Sequence, residues 1–242
     1  DSSINPKVSI RMQANDNLVL RGSLSTSFRE PSLSQLNQSS VGLQGIQDFD
    51  AAGNAVGQPS FIRIAQAYSS DLIPEESTNM NIGAIWTPND QFSAKFDYWS
   101  IDYTDVITIE SAQGKVIADP SGPDVVRLVD GTLIGVTTRY KNASEIDTDG
   151  YDIEASYNFE SRLGDVTLGI NRAHMLSYEI PAAGGGSKDV LGLFNHDNFA
   201  RSLPETKTVI SASLVNGQHS MSAFYRMISD YKTTNVPNAF AT

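Results

Sequence analysis

Three histidines, His174, His196 and His219, are the first residues to weigh for chemistry. They fall on separate segments, without the i,i+4 or carboxylate spacing of a metal site, so no metal site is expected from them. The stretch Asp48-Phe49-Asp50-Ala51-Ala52-Gly53 opens like a calcium loop. It lacks an oxygen ligand at the fifth position and the bidentate Glu at the twelfth, where Pro59 stands, so a turn is expected. Asp147-Thr148-Asp149-Gly150 could coordinate a cation but reads more simply as the start of a strand. Asn37-Gln38-Ser39 and Asn142-Ala143-Ser144 match a glycosylation triplet that is common by chance. No phosphate-cradling glycine loop and no nucleophile elbow is present, and nothing aligns Ser, His and Asp. No catalytic residue, no enzyme activity and no cofactor is therefore expected. The chemistry that remains is binding. Tyr68, Tyr103, Tyr140 and Phe194 lie in polar segments and are candidate stacking groups for a ligand, against the simpler role of packing their own loops.

Those aromatics need elements to hold them, and the elements read as strands. Val8, Ile10 and Met12 alternate with Ser9, Arg11 and Gln13. Leu18, Leu20, Leu24 and Phe28 follow against Arg21, Ser23 and Ser25. Met80, Ile82, Ala84 and Trp86 lead to Phe92, Ala94, Phe96 and Tyr98, and the parity flips at Trp99, Ile101 and Tyr103. A bulge would do this, and so would a strand end emerging from lipid into an aromatic girdle. Tyr151, Ile153, Ala155, Tyr157 and Phe159 alternate with Asp152, Glu154, Ser156 and Asn158. Exposing such an acid to hydrocarbon costs roughly 2.5–3.5 kcal/mol, so these acids must face water. Val166, Leu168 and Ile170 follow, then Ile210, Ala212 and Leu214, then Met221, Ala223, Tyr225 and Met227. The facing of the last pair is ambiguous, because Val209, Val215, Phe224 and Ile228 place apolar groups on the other side.

Eight strands in four hairpins result. Within each hairpin the join is tight: Asn15-Asp16-Asn17, Pro88-Asn89-Asp90, Ser161-Arg162-Leu163-Gly164-Asp165 and Asn216-Gly217-Gln218. Between hairpins it is long and polar. The stretch 29–77 shows no sustained pattern; in 105–146, Val116-Ile117 and Leu133-Ile134 are candidates for a hairpin; 180–203 includes the flexible tract Ala182 to Ser187. A β-sandwich also alternates. Loop asymmetry, strands near ten residues and aromatics at strand ends (Trp86, Trp99, Tyr157, Phe159) favour an outer-membrane β-barrel.

Composition is compatible with this. The chain has 242 residues and is 40% hydrophobic, which argues against disorder. No apolar run reaches the roughly 20 residues of a spanning helix, but barrel strands cross without one. The formal charge of −11 comes without a basic stripe, so no nucleic-acid partner is expected. There is no cysteine, hence no disulfide and no thiolate site. Asp1-Ser2-Ser3 does not resemble a signal peptide, so the chain is expected to be a mature product or a piece of a longer one.

Four motifs, in order along the chain, carry a resemblance. Ser27-Phe28-Arg29-Glu30-Pro31-Ser32-Leu33-Ser34-Gln35-Leu36 resembles "GFRAPSLxEL", with Ser27 for Gly and Glu30 for Ala. Asp71-Leu72-Ile73-Pro74-Glu75-Glu76-Ser77-Thr78-Asn79 resembles "NPxLxPExSxxxxxG", with Gly83 at its glycine and Ser70 where a Pro is usual. Phe92 to Val106 is similar to "FSLxVDYWxIxxxD", and Thr148 to Glu154 to "TxGxDxE". Leu203-Pro204 before a strand also recurs there. These are segments of TonB-dependent outer-membrane receptors. The resemblance implies a barrel of about 22 strands around an N-terminal plug that contacts TonB. The chain shows neither plug nor closing strand and is expected to be an internal portion of the barrel over 1–242.

The leading expectation is thus part of a receptor for active uptake of a scarce ligand, whether siderophore, cobalamin, saccharide or peptide. Its expected location is the cell outer membrane. Its partners would be outer-membrane lipid and, through the plug, the TonB complex. Ligand contact is expected in 29–77, 105–146 and 180–203. The alternatives are a passive porin or small eight-stranded barrel, and a soluble β-rich binding module.

Overall fold

The computed structural model describes residues 4–142, 145–181, 187–194 and 202–233. The chain begins with the hairpin β1 (Lys7–Asn15) and β2 (Leu18–Arg29), followed by helix α1 (Leu33–Asn37) and the hairpin β3 (Ser40–Phe49) and β4 (Ala55–Ala67). Next come β5 (Glu75–Asn89) and β6 (Phe92–Thr104), then β7 (Ile107–Ile109), helix α2 (Ala112–Ala118), β8 (Val125–Arg127) and β9 (Leu133–Asn142). β10 (Ile146–Ser161) and β11 (Gly164–Pro181) precede the short β12 (Ser187–Asp189) and β13 (Leu193–Phe194). β14 (Thr206–Asn216), β15 (His219–Ile228) and the short β16 (Lys232–Thr233) end the described path. Two compact units result. The strand unit holds residues 1–28, 77–103 and 145–234, and the loop unit holds 29–76, 104–144 and 235–242.

In the strand unit the eight long strands pair in chain order, β1-β2-β5-β6-β10-β11-β14-β15, with β12 added beside β11. These are the eight expected strands. Among the described residues the sheet is open, with β1 and β15 at its edges, which gives no support to a closed eight-stranded barrel. Each tight turn is closed by local chemistry. Asn15 Oδ1 accepts from Asn17 N at 2.9 Å, and Asn89 Oδ1 from Gln91 N at 3.0 Å and Phe92 N at 2.9 Å. Ser161 Oγ accepts from Leu163 N at 3.1 Å, and Gly217 supplies a positive φ of 57°.

Register sorts the side chains onto two faces. Val8 pairs with Leu24 and Met12 with Leu20; Ile153 pairs with Phe96, Ala155 with Ala94 and Tyr157 with Phe92. Ala155 also pairs with Ile170, and Ile170 with Ile210. This apolar face is exposed or half-buried along its length: Val8 is 72%, Ile82 57% and Trp86 50% accessible, while Ile153 and Ala155 are half-buried. Near the turns it carries aromatic pairs, Trp86 with Phe92 and Tyr157 with Phe159, each with ring centroids 5.6 Å apart. The opposite face is polar. There Arg21 grips Asp97 with two hydrogen bonds, and Lys95 Nζ lies 3.1 Å from Glu154. Glu154 faces away from Tyr151 and Ile153, as the cost of exposing an acid to hydrocarbon requires. The ambiguous last pair resolves in register: Ile210, Ala212 and Leu214 join the apolar face, while Val209 pairs with Asn171 on the polar one. β15 is an edge strand and is exposed on both faces.

The parity flip at Trp99 is not a bulge against β10, because β6 pairs with β10 without a break from Phe92 to Tyr103. The bulge lies one strand further, on β11. There Asp149 pairs with Ser177 and Gly150 with Met175, leaving Leu176 unpaired. Two glycines permit close approaches on these strands. A Cβ at Gly83 would lie 2.0 Å from Asp97 Oδ1 and 2.8 Å from Phe96 O. A Cβ at Gly150 would lie 2.5 Å from His174 O and 2.6 Å from Trp99 Cζ2. Gly83 on β5 therefore leaves the gap in which the Asp97 carboxylate receives Arg21 from β2.

In the loop unit, β3 and β4 form a hairpin, β4 runs parallel to β9, and β7 and β8 flank β9. The stretch 29–77 is thus folded rather than patternless. Its strands are hidden in the sequence because Gly42, Gly45, Gly57 and Pro59 interrupt the apolar period. The core of the loop unit holds Ile46, Ile62, Val136 and Leu133 against Ala112 and Val116 of α2. Val116-Ile117 therefore belongs to a helix, not to a hairpin with Leu133-Ile134; Val116 and Leu133 meet instead in one core.

Substituting Gly83→Ala should destabilise the strand unit by about 1–3 kcal/mol, because backbone as well as carboxylate must shift. Thermal unfolding of the variant should show a lower midpoint. An unchanged midpoint would mean that the gap is not needed.

Candidate functional site

Residues of the first two motifs meet through side-chain hydrogen bonds, some within the strand unit and some within the loop unit. In the strand unit, Ser27 Oγ and Ser77 Oγ are 2.6 Å apart, and Asn79 Nδ2 donates to Ser77 Oγ at 3.2 Å. In the loop unit, Arg29 Nε donates to Glu75, whose other oxygen accepts from Ile107 N at 2.7 Å. Glu75 is only 8% accessible, so its two donors are what make its burial tolerable. The bond to Glu75 holds the Arg29 guanidinium above its ordinary pKa. One carboxylate thus ties the first loop segment to the second.

Asn142 makes a second tie. Its Oδ1 accepts from Ile73 N at 3.0 Å, and its Nδ2 donates to Ile73 O at 2.9 Å and Asp105 O at 2.6 Å. Asp105, the closing acid of the third motif, has φ 54°, a left-handed conformation that Asp tolerates better than most residues. Asn142 is therefore committed to these bonds and not presented as a glycosylation acceptor. Helix α1 is fixed by a capping box between Ser32 and Gln35, and its Gln35 O accepts from Ser69 N at 3.0 Å.

A recess of about 530 Å³ lies in the loop unit, lined in part by Asp48, Asp50, Gln58, Arg127, Asp130 and Thr132. Arg127 donates to both oxygens of Asp48, at 2.8 and 2.6 Å, and to Pro120 O and Gly131 O, each at 2.9 Å. Its guanidinium holds the Asp48 carboxyl below the usual carboxylate range. Asp50 Oδ1 accepts from Ala52 N and Asn54 N, both at 2.9 Å, so the calcium-like stretch is a turn. Beside α2, Asp124 is held below its ordinary pKa by hydrogen bonds from Lys115 and Arg139. Among the described residues no group of three or more His, Asp or Glu could hold a metal ion.

The four aromatic candidates do not form one cluster. Tyr68 and Tyr140 both belong to the loop unit, where Ser69 Oγ donates to Tyr140 O; Tyr68 is 49% accessible, and Tyr140 is half-buried opposite Ile109. Tyr103 belongs to the strand unit, 37% accessible and opposite Ile146. The backbone of Phe194 lies in β13, and its side chain falls outside the described residues. His174 packs on Tyr151 at 4.9 Å and bonds Thr206 at 2.7 Å, His219 pairs with Asn216 in a hairpin, and His196 falls outside the described residues. Asp147 to Gly150 forms the start of β10, with Asp149 accepting from Tyr98 Oη at 2.9 Å. Glu75, the acid of the second motif, and Asn142 join the loop segments without being aromatic; the motif position is the one sequence signal for Glu75, and Asn142 has none beyond its glycosylation triplet.

Comparison with known proteins follows this geometry. The family model described as "TonB dependent receptor-like, beta-barrel" matches residues 1–241. No curated protein matches. Among solved structures, the chain is similar to the siderophore receptor PirA from Acinetobacter baumannii at 16% identity and TM-score 0.58. It covers 94% of this chain and 30% of that one. It is also similar to the ferric enterobactin receptor PfeA from Pseudomonas aeruginosa, at 14% identity and TM-score 0.61, over 93% of this chain and 28% of that one. The chain thus spans less than a third of the length of these receptors, and the likeness at this identity is one of fold.

Replacing Glu75→Ala should release Ile107 N and Arg29 together, a loss of about 1–3 kcal/mol for a buried hydrogen-bonded group. Hydrogen exchange should then accelerate at residues 104–110 while β10 and β11 keep their protection. Uniform acceleration would contradict a local tie. For pH, the folded carboxyls of Asp48 and Asp124 lie below their unfolded value of about 3.9. Their stabilisation is complete above that value and disappears as pH falls through the lowered folded pKa. Loop-unit exchange protection should therefore be flat from neutral pH to about 4 and fall below it, and Asp48→Asn should flatten that fall.

Proposed function

Because the chain belongs to the TonB-dependent receptor-like β-barrel family, we propose that it is an arc of the wall and mouth of an outer-membrane receptor for active uptake. Receptor barrels of this family act in transport and not in enzymatic turnover. The observation that carries the reading is the division of labour within the chain. Eight long strands pair in order through two-residue turns, and the insertions between hairpins fold into a unit of their own. In a bilayer the apolar face of the strands meets hydrocarbon, and the aromatics near the turns sit at the interface. In this reading the loop unit is the part that meets the ligand. Tyr68 and Tyr140 offer it stacking surface, with Tyr103 and Phe194 as further candidates. A plug elsewhere in the receptor would couple the site to TonB.

The structural neighbours are a siderophore receptor and a ferric enterobactin receptor, which makes a ferric siderophore the first ligand to test. Cells carrying the receptor should accumulate radiolabelled ferric siderophore under iron limitation, and deleting TonB should abolish this. Tyr68→Ala with Tyr140→Ala should weaken uptake several-fold without changing receptor abundance. Uptake that persists without TonB would overturn the active-transport reading and favour a passive pore.

A further inference from the structure

The apolar face of the strand unit has one interruption that its lipid-facing role does not explain. On β11 the face runs outward from the turn through Val166, Leu168 and Ile170 and then meets Arg172. The register leaves no doubt about the side: Arg172 pairs with Ile153 on β10 and with Thr208 on β14, and Ile153 pairs with Phe96. Arg172 is exposed, and among the described residues it makes no ion pair and no side-chain hydrogen bond. It is the one arginine or lysine on this face along the described parts of β6, β10, β11, β14 and β15. The nearest acid further out on the face, Asp149, already accepts from Tyr98 Oη and Ser177 Oγ.

An arginine toward hydrocarbon is costly at mid-depth and nearly free of cost near the interface, so an unpaired one belongs near the headgroups. Its neighbours say the same. Beyond Arg172 the face turns polar, first His174 bonded to Thr206, then Asp149 with Tyr98 and Ser177. This collar offers hydroxyls and an acid but no second cation. A guanidinium with free donors, at the step where the apolar face gives way to a polar collar, suits a tetrahedral phosphate oxyanion.

We propose that Arg172 seats the phosphate of an anionic lipid of the outer leaflet, binding a discrete lipid to the barrel exterior. The proposal rests on the reading that this face meets lipid. A fixed positive charge near the surface strengthens binding of an anionic lipid about fivefold.

The test is native mass spectrometry of the intact receptor, delipidated in non-ionic detergent and titrated with lipid A or with dephosphorylated lipid A. The wild type should retain lipid A about fivefold better than the dephosphorylated form. Arg172→Gln should erase the difference, and Arg172→Lys should keep part of it. Arg226→Gln, the same charge change on the polar face, should leave it intact. Inorganic phosphate at millimolar concentration should not compete. Equal preference in wild type and Arg172→Gln would overturn the proposal, as would equal loss in Arg226→Gln or competition by free phosphate. An Arg172-dependent dimer would overturn it in favour of a second copy of the chain. Failure of the wild type to insert into nanodiscs would instead sink the membrane reading itself, a separate outcome.

Discussion

A strand that crosses hydrocarbon has no water to satisfy its backbone, so every N–H and C=O within the span must find a partner on a neighbouring strand. The strand unit answers that demand with pairing in strict chain order, and the rest of the structure follows from it. Pairing fixes register, and register at a period of two assigns each side chain to lipid or to water. Val8 opposite Leu24, and Ala155 between Ala94 and Ile170, are consequences of one bookkeeping of hydrogen bonds. The same pairing requires the turns at one end to be short, since a two-residue join adds almost no unpaired backbone. At the other end, which lies in water, the chain is free to insert whole segments.

On the polar face the constraint appears as steric room. Arg21 is open to water while Asp97 is half-buried, and a pair open to solvent on one side contributes on the order of 1 kcal/mol, so it does not by itself hold the sheet together. Their geometry is informative for another reason. They belong to strands separated by β5, and only a residue without a side chain at position 83 leaves the Asp97 carboxylate where it is. Gly150 does the same for Trp99. Two motif glycines and two residues of the third motif are therefore parts of two contacts.

The strands were legible in the sequence because a half-buried strand has a two-residue period and its partner repeats it. Ile153 to Phe159 could hardly be read otherwise. The loop unit was not legible, since its core is assembled from segments far apart in the chain. Ile46, Ile62, Val116 and Val136 are four buried side chains drawn from distant segments, spaced by glycine and proline, and no local window contains more than one or two of them. The bulge at Leu176 escaped for a different reason: the visible parity change at Trp99 lay two strands from the irregularity in the ladder. The aromatic candidates were chosen by type and loop position, which register cannot constrain, and they fell on two units.

The ties at the loop roots order the loop unit itself. A long insertion pays little extra closure entropy as it lengthens, but its first and last residues must still be anchored to behave as one body. Glu75 and Asn142 do this economically: each satisfies backbone or guanidinium donors from segments far apart in sequence, and each sits beside the end of a long strand. Because Glu75 is buried, its bonds are either all made or costly to lose, so Arg29 and the segment at Ile107 are held together or released together.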